Sequence, residues 1–271
     1  MRIHLTLPAA LVVATCPLAA QPQSGDDAHW LQECRDHNGW REHARYCEIR
    51  VDHVTNTRGP INVDARENGG VEFIGGSASD IVVHELIETE GSSEADAKDL
   101  AAQVHVVIDG GRIHANGPPE QRHWHSWTVN YRVEVPHQID ATAESINGPL
   151  EASEIVGNLD LRTENGPIDL SAVGGTVHAR TQNGPLEVRL TGARWNGQGL
   201  DAETENGPVE LSIPSNYAAH LETGTVNGPM SIDFPITVQG RINVKRLSMD
   251  IGGGGPTVRV VTTNGPVTVD H

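Results

Sequence analysis

Apolar and polar residues alternate over short segments along most of this 271-residue chain. Such alternation with a period of two predicts β-strands that bury one face. The longest alternating segment is Ser126–Pro136, and another lies at 81–89. A helical pattern begins where Ser92 or Ser93 can act as the N-cap. We therefore predict an all-β protein with one short helix near 92–102.

The C-terminal half repeats Asn-Gly-Pro six times, each time with a Ser or Thr two residues before the Asn. Each Pro is followed by an apolar residue, an outward-facing residue and usually a second apolar residue. A unit this short cannot bury its apolar side without neighbours, so the repeat predicts a stack of short strands with these motifs at its corners. The corner residues are Asn147, Gly148, Asn165, Gly166, Asn183, Gly184, Asn206, Gly207, Asn227, Gly228, Asn264 and Gly265.

The proline after each Asn-Gly favours a β-solenoid. A tight Asn-Gly hairpin needs an N–H on the residue after Gly, and proline has none. An antiparallel meander or sandwich with longer turns remains the alternative. In a solenoid, Asn amides and Thr hydroxyls can bond along the stack, and we expect each corner Gly to take a positive φ. The 37-residue spacing from Asn227 to Asn264 predicts two units, with 252–255 replacing a missing corner.

The chain divides into four regions, and no Pro/Ser-rich linker separates the last two. An apolar run after Arg2 predicts an export signal, although Cys16 leaves lipidation as an alternative. The regions are a signal peptide at 1–20, a polar extension at 21–47 with one or two helical turns around 29–34, a β region with the helix at 48–140, and the Asn-Gly-Pro repeats at 141–271.

Two cysteines, Cys34 and Cys47, follow the predicted signal. Export favours a disulfide between them, and the short loop that it closes is worth about 3 kcal/mol. A metal pair is the competing interpretation, but neither cysteine has a second Cys or a His at the usual zinc spacing. We predict a structural bridge.

The formal charge is −17, and loss of the signal changes it to −18 because Arg2 is the only charged residue in that segment. Nucleic acid and anionic membrane surfaces would both repel such a chain. We therefore expect neither as a partner. An envelope protein or a glycan remains possible from charge alone.

Several motifs are similar to those of the bacterial DUF4097 family of β-strand-repeat proteins, often labelled adhesins. They include Thr-x-Asn-Gly-Pro at 163–167, 181–185 and 204–208, together with the closing segment at 253–266. The resemblance extends over about residues 45–271. It implies a solenoid-like β fold in an exported protein, and it brings no catalytic residues.

An outward position follows each corner and is acidic in four consecutive repeats: Glu151, Asp169, Glu187 and Glu210. In a stack these carboxylates would be neighbours, and like charges on adjacent strands repel. Ca²⁺ or a basic partner could offset that repulsion, since Ca²⁺ takes oxygen ligands. The alternative is a solvated edge that keeps the protein soluble. We keep these residues as candidate binding residues and predict no other cofactor.

Trp195 and a histidine pair are further candidates. Trp195 could be a sugar-stacking platform on a loop, or it could close the apolar core where an insertion interrupts the stack. His123 and His125 would share one face of a strand and could chelate Zn²⁺ or Cu²⁺, but no third ligand is evident. Exposed histidines without a metal are the simpler interpretation.

Common enzyme motifs are missing: the sequence has no Gly-x-Ser-x-Gly, His-Glu-x-x-His or Walker loop. The sequence therefore favours a secreted, non-enzymatic adhesin or cell-envelope interaction module, located in the periplasm, at the cell surface or outside the cell. A periplasmic structural or envelope-stress protein is the alternative. A carbohydrate-active enzyme that uses these four acidic residues is the third hypothesis.

Overall fold

The computed structural model describes residues 25–36, 43–54, 59–77, 80–119, 125–233 and 245–271. The predicted signal peptide, Cys16 and His123 lie outside these residues. Two helices are described, α1 (Gly25–Asp36) and α2 (Glu94–Ala101). The strands are β1 (Ala44–Val54), β2 (Ile61–Asp64), β3 (Val71–Gly76), β4 (Ile81–Gly91), β5 (His105–Asp109), β6 (Arg112–Asn116), β7 (Ser126–Pro136), β8 (Ala141–Ser145), β9 (Leu150–Ser153), β10 (Val156–Thr163), β11 (Ile168–Ser171), β12 (Gly174–Asn183), β13 (Leu186–Arg189), β14 (Gly197–Asn206), β15 (Val209–Ser212), β16 (Ala219–Asn227), β17 (Met230–Ile232), β18 (Arg246–Ile251), β19 (Thr257–Asn264) and β20 (Val267–Asp270).

The strands form two ten-stranded sheets, here called sheet A and sheet B. Sheet A has the order β1-β4-β7-β3-β9-β11-β13-β15-β20-β17, and sheet B has the order β18-β16-β19-β14-β12-β10-β8-β2-β6-β5. Each repeat places one strand in sheet B and the next in sheet A, and successive repeats pair in parallel. The predicted solenoid is therefore confirmed, and the antiparallel meander is wrong for the repeat region.

The core lies between the two sheets and is built from the apolar residues on either side of each outward position. Leu150, Ile168, Leu186 and Val209 are neighbours in register, and each is at most 1% exposed. Burying one such side chain contributes roughly 1.5–3 kcal/mol. Because the apolar positions recur at the same places in every repeat, equivalent apolar side chains stack on one another and form a continuous core.

Both sheets continue into the N-terminal region, since β8 pairs with β2 and β9 with β3. Beyond them, sheet A ends in the antiparallel strands β7, β4 and β1. Helix α2 connects β4 of sheet A to β5 of sheet B. Its N-cap is Ser93, whose hydroxyl accepts a hydrogen bond from the Asp96 N–H, and it buries Ala97, Leu100 and Ala101. The predicted helix near 92–102 is therefore confirmed.

Helix α1 lies against the outer side of sheet A. It runs for 12 residues, which is longer than the one or two turns that the sequence predicts. Leu31 and Cys34 pack with Cys47 and Leu86 in a small apolar cluster separate from the main core. A disulfide joins Cys34 to Cys47 over a Cα–Cα distance of 6.4 Å and ties α1 to β1. The predicted bridge is present.

The order of the C-terminal strands differs from the prediction. The chain runs from β17 into β18, which pairs antiparallel with β16 at the edge of sheet B. It then returns, so that β19 lies between β14 and β16, and β20 lies between β15 and β17. The long spacing before Asn264 therefore contains an edge strand and a return, and the two units predicted there are wrong. The last repeat in sequence is an internal coil in space.

Asparagine side chains form a ladder along the corners. Each amide Nδ2 donates to the Oδ1 of the Asn in the adjacent coil at 2.8–3.2 Å. The Ser or Thr of every motif except that of Thr225 adds a second bond between coils: the Thr181 hydroxyl, for example, donates to the Gly166 carbonyl at 2.8 Å. In spatial order the ladder is Asn68, Asn147, Asn165, Asn183, Asn206, Asn264 and Asn227.

The corner glycines are needed for a different reason from the one that the sequence suggested. None of the six Asn-Gly-Pro glycines in the repeats has a positive φ. A Cβ on Gly166 would instead overlap the Gly148 carbonyl oxygen of the adjacent coil, and the same holds for the equivalent glycines. The expectation of a positive φ was wrong. Glycine is required here because the backbones of neighbouring coils approach too closely for any side chain.

Candidate binding face

The outer side of sheet A carries five consecutive acidic side chains, here called the acidic row. Glu151, Asp169, Glu187 and Glu210 are neighbours in register on β9, β11, β13 and β15. Glu72 on β3 extends the row, since its Cα partner is Glu151. The sequence did not identify Glu72 because its corner is Asn68-Gly69-Gly70 and lacks the proline. The alternation around Val71 and Phe73 could have found it.

Two arginines neutralise part of the acidic row. Arg132, on β7, donates from Nε to Glu72 Oε2 at 2.7 Å. Arg189, two residues beyond Glu187 on the same strand, contacts both Asp169 carboxylate oxygens at 2.8 and 2.9 Å and also bonds to Glu187. These contacts supply from within the chain some of the compensation that was expected from Ca²⁺ or from a partner.

Glu151 and Glu210 form no salt bridge with an arginine of the described residues, although Arg132 and Arg189 are near enough to act on Glu151 electrostatically. The pKa of Glu151 lies above its usual value, because partial burial disfavours the charged carboxylate and the neighbouring Glu72 and Asp169 repel it. A cationic group placed over Glu151 would relieve that repulsion. Arginines therefore hold Glu72, Asp169 and Glu187, whereas Glu151 and Glu210 form no salt bridge with an arginine and are open to a partner.

The acidic row ends at α1, in a cleft of about 320 Å³. There the Arg132 guanidinium lies 4.8 Å from the centre of the Trp30 ring, in cation–π contact. His84, which is buried, contacts Asp27 of α1 through Nδ1 at 3.0 Å and lies 3.4 Å from Glu134 through Nε2. The packing of α1 thus fixes the position of the arginine that pairs with Glu72.

The outer side of sheet B has a different charge pattern. Arg162 pairs with Asp160 at 2.7 Å, and Arg259 bonds to both Asp201 and Glu203. Arg162, Arg180 and Arg259 thus each have an acid beside them.

The structure places Trp195 in the main core rather than on the surface. It is 3% exposed, and its indole Nε1 donates to the Gly175 carbonyl at 3.1 Å. A buried indole cannot stack on a sugar. The position matches the other interpretation, in which Trp195 closes the core at the insertion.

His125 lies beside α2, where its Nε2 contacts Asp96 Oδ2 at 2.8 Å. Asp96 also accepts bonds from the Ser92 hydroxyl and N–H, and these bonds together with His125 lower its pKa to about 2. Within the described residues, no three His, Cys, Asp or Glu side chains form a group that could hold a metal ion. No helix of that part of the chain is long and apolar enough to cross a bilayer.

A family model described as Toastrack DUF4097 matches residues 61–270. The match covers both sheets from β2 to β20 and includes the whole acidic row. It begins after α1 and β1, so the helix and the disulfide lie outside it. No curated protein matches the sequence.

Solved bacterial structures resemble the chain at low identity. A protein described as a putative cell adhesion protein from Clostridium sporogenes is 10% identical, with a TM-score of 0.48 over 83% of this chain and 99% of that one. A putative adhesin from Bacteroides fragilis is 9% identical, with a TM-score of 0.37 over 82% and 96%. Another from Parabacteroides distasonis is 7% identical, with a TM-score of 0.39 over 82% and 97%.

Proposed function

Because this chain belongs to the Toastrack DUF4097 family, we propose that it is an exported, non-enzymatic interaction module of the cell envelope. The observation that carries this proposal is the acidic row on parallel strands of sheet A, with two carboxylates, Glu151 and Glu210, that form no salt bridge with an arginine of the described chain. A row of five acids in one line costs repulsion. A basic partner bound along the acidic row would relieve this repulsion.

The distance between the open carboxylates of Glu151 and Glu210 suggests the conformation and the charge spacing of the partner. Three strand spacings separate Glu151 from Glu210, which is about 14 Å at about 4.8 Å per strand. Two residues four positions apart in an extended chain span about 13 Å. An extended segment with two Lys or Arg side chains at that spacing, aligned along the stack, would place one cation on each carboxylate. The proposed partner is therefore a basic segment of another envelope protein.

This proposal is tested by neutralising the two open carboxylates. Glu151→Gln/Glu210→Gln removes two negative charges from the acidic row, and Glu164→Gln/Glu205→Gln removes two from exposed corner positions as a matched control. Binding of the native envelope partner, recovered with the wild-type protein, is measured by surface plasmon resonance. We expect at least a tenfold loss for the first variant and little change for the control. Equal loss in both variants would mean that net charge alone governs binding.

Cell fractionation separates surface adhesion from the alternative of a periplasmic structural or envelope-stress protein. Protein confined to the periplasm would count against adhesion while leaving the basic-partner proposal intact. Turnover of an acidic polysaccharide, and its loss in the acidic-row variant, would instead favour an enzyme. The acids of the row recur in similar positions rather than as an acid and base in distinct environments, so we expect no turnover.

A further inference from the structure

A cavity of about 250 Å³ lies where the corner ladder ends, between residues 65–69 and the first half of β7. Another Asn-Gly-Pro, beginning at Asn116, follows β6, but no hydrogen bond of the described chain joins the Asn116 side chain to Asn68. The corner from Asn116 to Pro118 packs on Trp127 instead: a Cβ on Gly117 would lie 2.7 Å from the indole, and Trp127 Nε1 donates to the Pro118 carbonyl at 2.9 Å. The interrupted ladder leaves an open space lined by polar groups.

Asn68 supplies the last amide of the ladder to this cavity. It accepts a hydrogen bond from Asn147 at 3.2 Å. Its own Nδ2 donates to no group of the described residues, whereas the other asparagines of the ladder each donate to a neighbour. Chains of hydrogen bonds polarise one another, so the terminal donor of the ladder is a good donor to a ligand oxygen.

Arg66 lines the cavity in a strained backbone conformation. Its φ is 59°, which is uncommon for any residue other than glycine. The conformation is held by its N–H, which donates to Asp64 at 3.0 Å, and by its Nη1, which donates to the Ala115 carbonyl at 2.9 Å. The guanidinium lies 5.9 Å from the centre of the Trp127 ring. Strain of this kind concentrates at ligand sites, where it positions a side chain.

Tyr131 is among the residues that line the same cavity, and its hydroxyl is buried. The residue is 1% exposed, and its hydroxyl has no hydrogen-bond partner in the described chain. Burial raises its pKa well above the usual value, and Glu85 and Asp64 add to the shift. The group therefore stays a neutral O–H that can both donate and accept. A buried hydroxyl without a partner costs roughly 1–3 kcal/mol, and a ligand could recover part of that.

We propose that this cavity binds a single sugar ring. Arg66 and Asn68 supply donors, Glu67 supplies an acceptor, and Tyr131 supplies a hydroxyl, which together suit the adjacent hydroxyls of a sugar. The Trp127 indole offers an apolar surface to the C–H face of the ring. The volume is below the roughly 300–1,000 Å³ typical of drug-sized ligands, which limits the occupant to about one ring. The site is distinct from the acidic row. Evidence that no sugar binds in the cavity would therefore leave the proposed function intact.

The test uses the full mature protein and saturation-transfer NMR with glucose, N-acetylglucosamine and glucuronate, each at about 10 mM, where millimolar affinity is visible. The same rings at the end of a tetrasaccharide distinguish a free sugar from the terminus of a glycan. Tyr131→Phe removes an unpartnered hydroxyl and should not lower the melting temperature. Arg66→Gly relieves the positive φ but loses the bond to the Ala115 carbonyl, so its melting temperature is measured beside its affinity. Tyr217→Phe changes another buried tyrosine, outside the cavity, and is the matched control.

We expect at least one sugar to bind, with at least tenfold weaker affinity for Tyr131→Phe and for Arg66→Gly and unchanged affinity for Tyr217→Phe. Absence of saturation transfer from every sugar to the wild-type protein would overturn the proposal. Binding that both cavity variants retain would overturn it as well, since the ligand would then lie elsewhere.

Discussion

At the scale of the residue, each coil depends on glycines whose role is contact between coils. Gly148, Gly166, Gly184, Gly207 and Gly265 each leave room for a backbone that passes one strand spacing away. The sequence indicated a corner at these positions but not this role, because the same Asn-Gly pair would need a positive φ in a hairpin. Only the stacking of one corner on the next reveals which constraint applies.

Gly166→Ala is expected to destabilise the protein by about 3 kcal/mol or more, because the new Cβ overlaps a backbone carbonyl that cannot move without displacing the adjacent coil. Urea unfolding monitored by circular dichroism measures the change. Gly59→Ala is the control, since no atom lies within 4 Å of the Cβ position there and its effect should stay within about 0.5 kcal/mol. Equal effects would show that corner glycines act through the unfolded state.

Glu85 gives the stability of the protein a pH dependence. The side chain is 1% exposed, and burial, followed by repulsion from Asp52, raises its pKa to about 8, while Arg50 acts in the opposite direction. Below the ordinary value of 4.5 the group is protonated in both states, and its contribution to stability is fully present. As the pH rises towards 8, the unfolded chain loses the proton that the native state retains, so stability falls.

Glu85→Gln removes that titration. We expect the variant to gain stability relative to the wild type as the pH rises from 4.5 to 8, by roughly 1.4 kcal/mol for each pKa unit of the shift at most. Urea midpoints across that interval provide the measurement, with the exposed Glu164→Gln as control. A difference between variant and wild type that stays constant with pH would show that Glu85 does not titrate in this range.

At the scale of the element, alternation predicts the strands of the repeats well because each strand buries one face on the same core. The long strand β7 and the helix α2 also follow from local pattern and capping. Helix α1 was underestimated, since its apolar residues are few and its position depends on a disulfide and on Asp27 contacting His84. Such contacts join segments far apart in the chain, and no local pattern encodes them.

Removing the disulfide with Cys34→Ser/Cys47→Ser is expected to release α1 while the solenoid stays folded. The closed loop is short, so the loss is about 3 kcal/mol and falls on the small cluster around Leu31 and Leu86. Hydrogen exchange should show faster exchange in α1 and β1 and unchanged protection in β9–β15. Faster exchange throughout the chain would mean that α1 stabilises the whole stack.

At the scale of the whole molecule, the sequence predicts a solenoid but not the order of its coils. Every repeat contains the same corner, and a repeat can pair with any neighbour that offers the same pattern. The place of the last coil, between β14–β15 and β16–β17, is fixed by the edge strand β18 and the return at 252–256. The candidate site shows the same limit: four of its acids follow from the repeat, whereas Arg132 and Arg189 reach the acidic row only through the fold.

Val260→Asp tests how far the last coil supports its neighbours. Val260 is fully buried between sheets A and B, so a charge there should break the packing of β19 against both β14 and β16. We expect a loss of at least 3 kcal/mol and hydrogen exchange that is faster on both sides of the coil. Val261→Asn, one residue later on the outward face, adds no charge beside the neighbouring Glu203 and should cost little. Faster hydrogen exchange confined to β19 and β20 would mean that the coils on either side stay folded without the last coil.

The internal position of the C-terminal repeat has a consequence for biosynthesis. The ribosome makes β19 and β20 after β14–β18, yet they form a layer in the middle of the stack. A chain that stops before residue 257 therefore lacks an interior layer, and it leaves two open edges facing each other. Proteases and chaperones recognise such edges. Only a chain that includes β19 and β20 therefore pairs all of its interior strands.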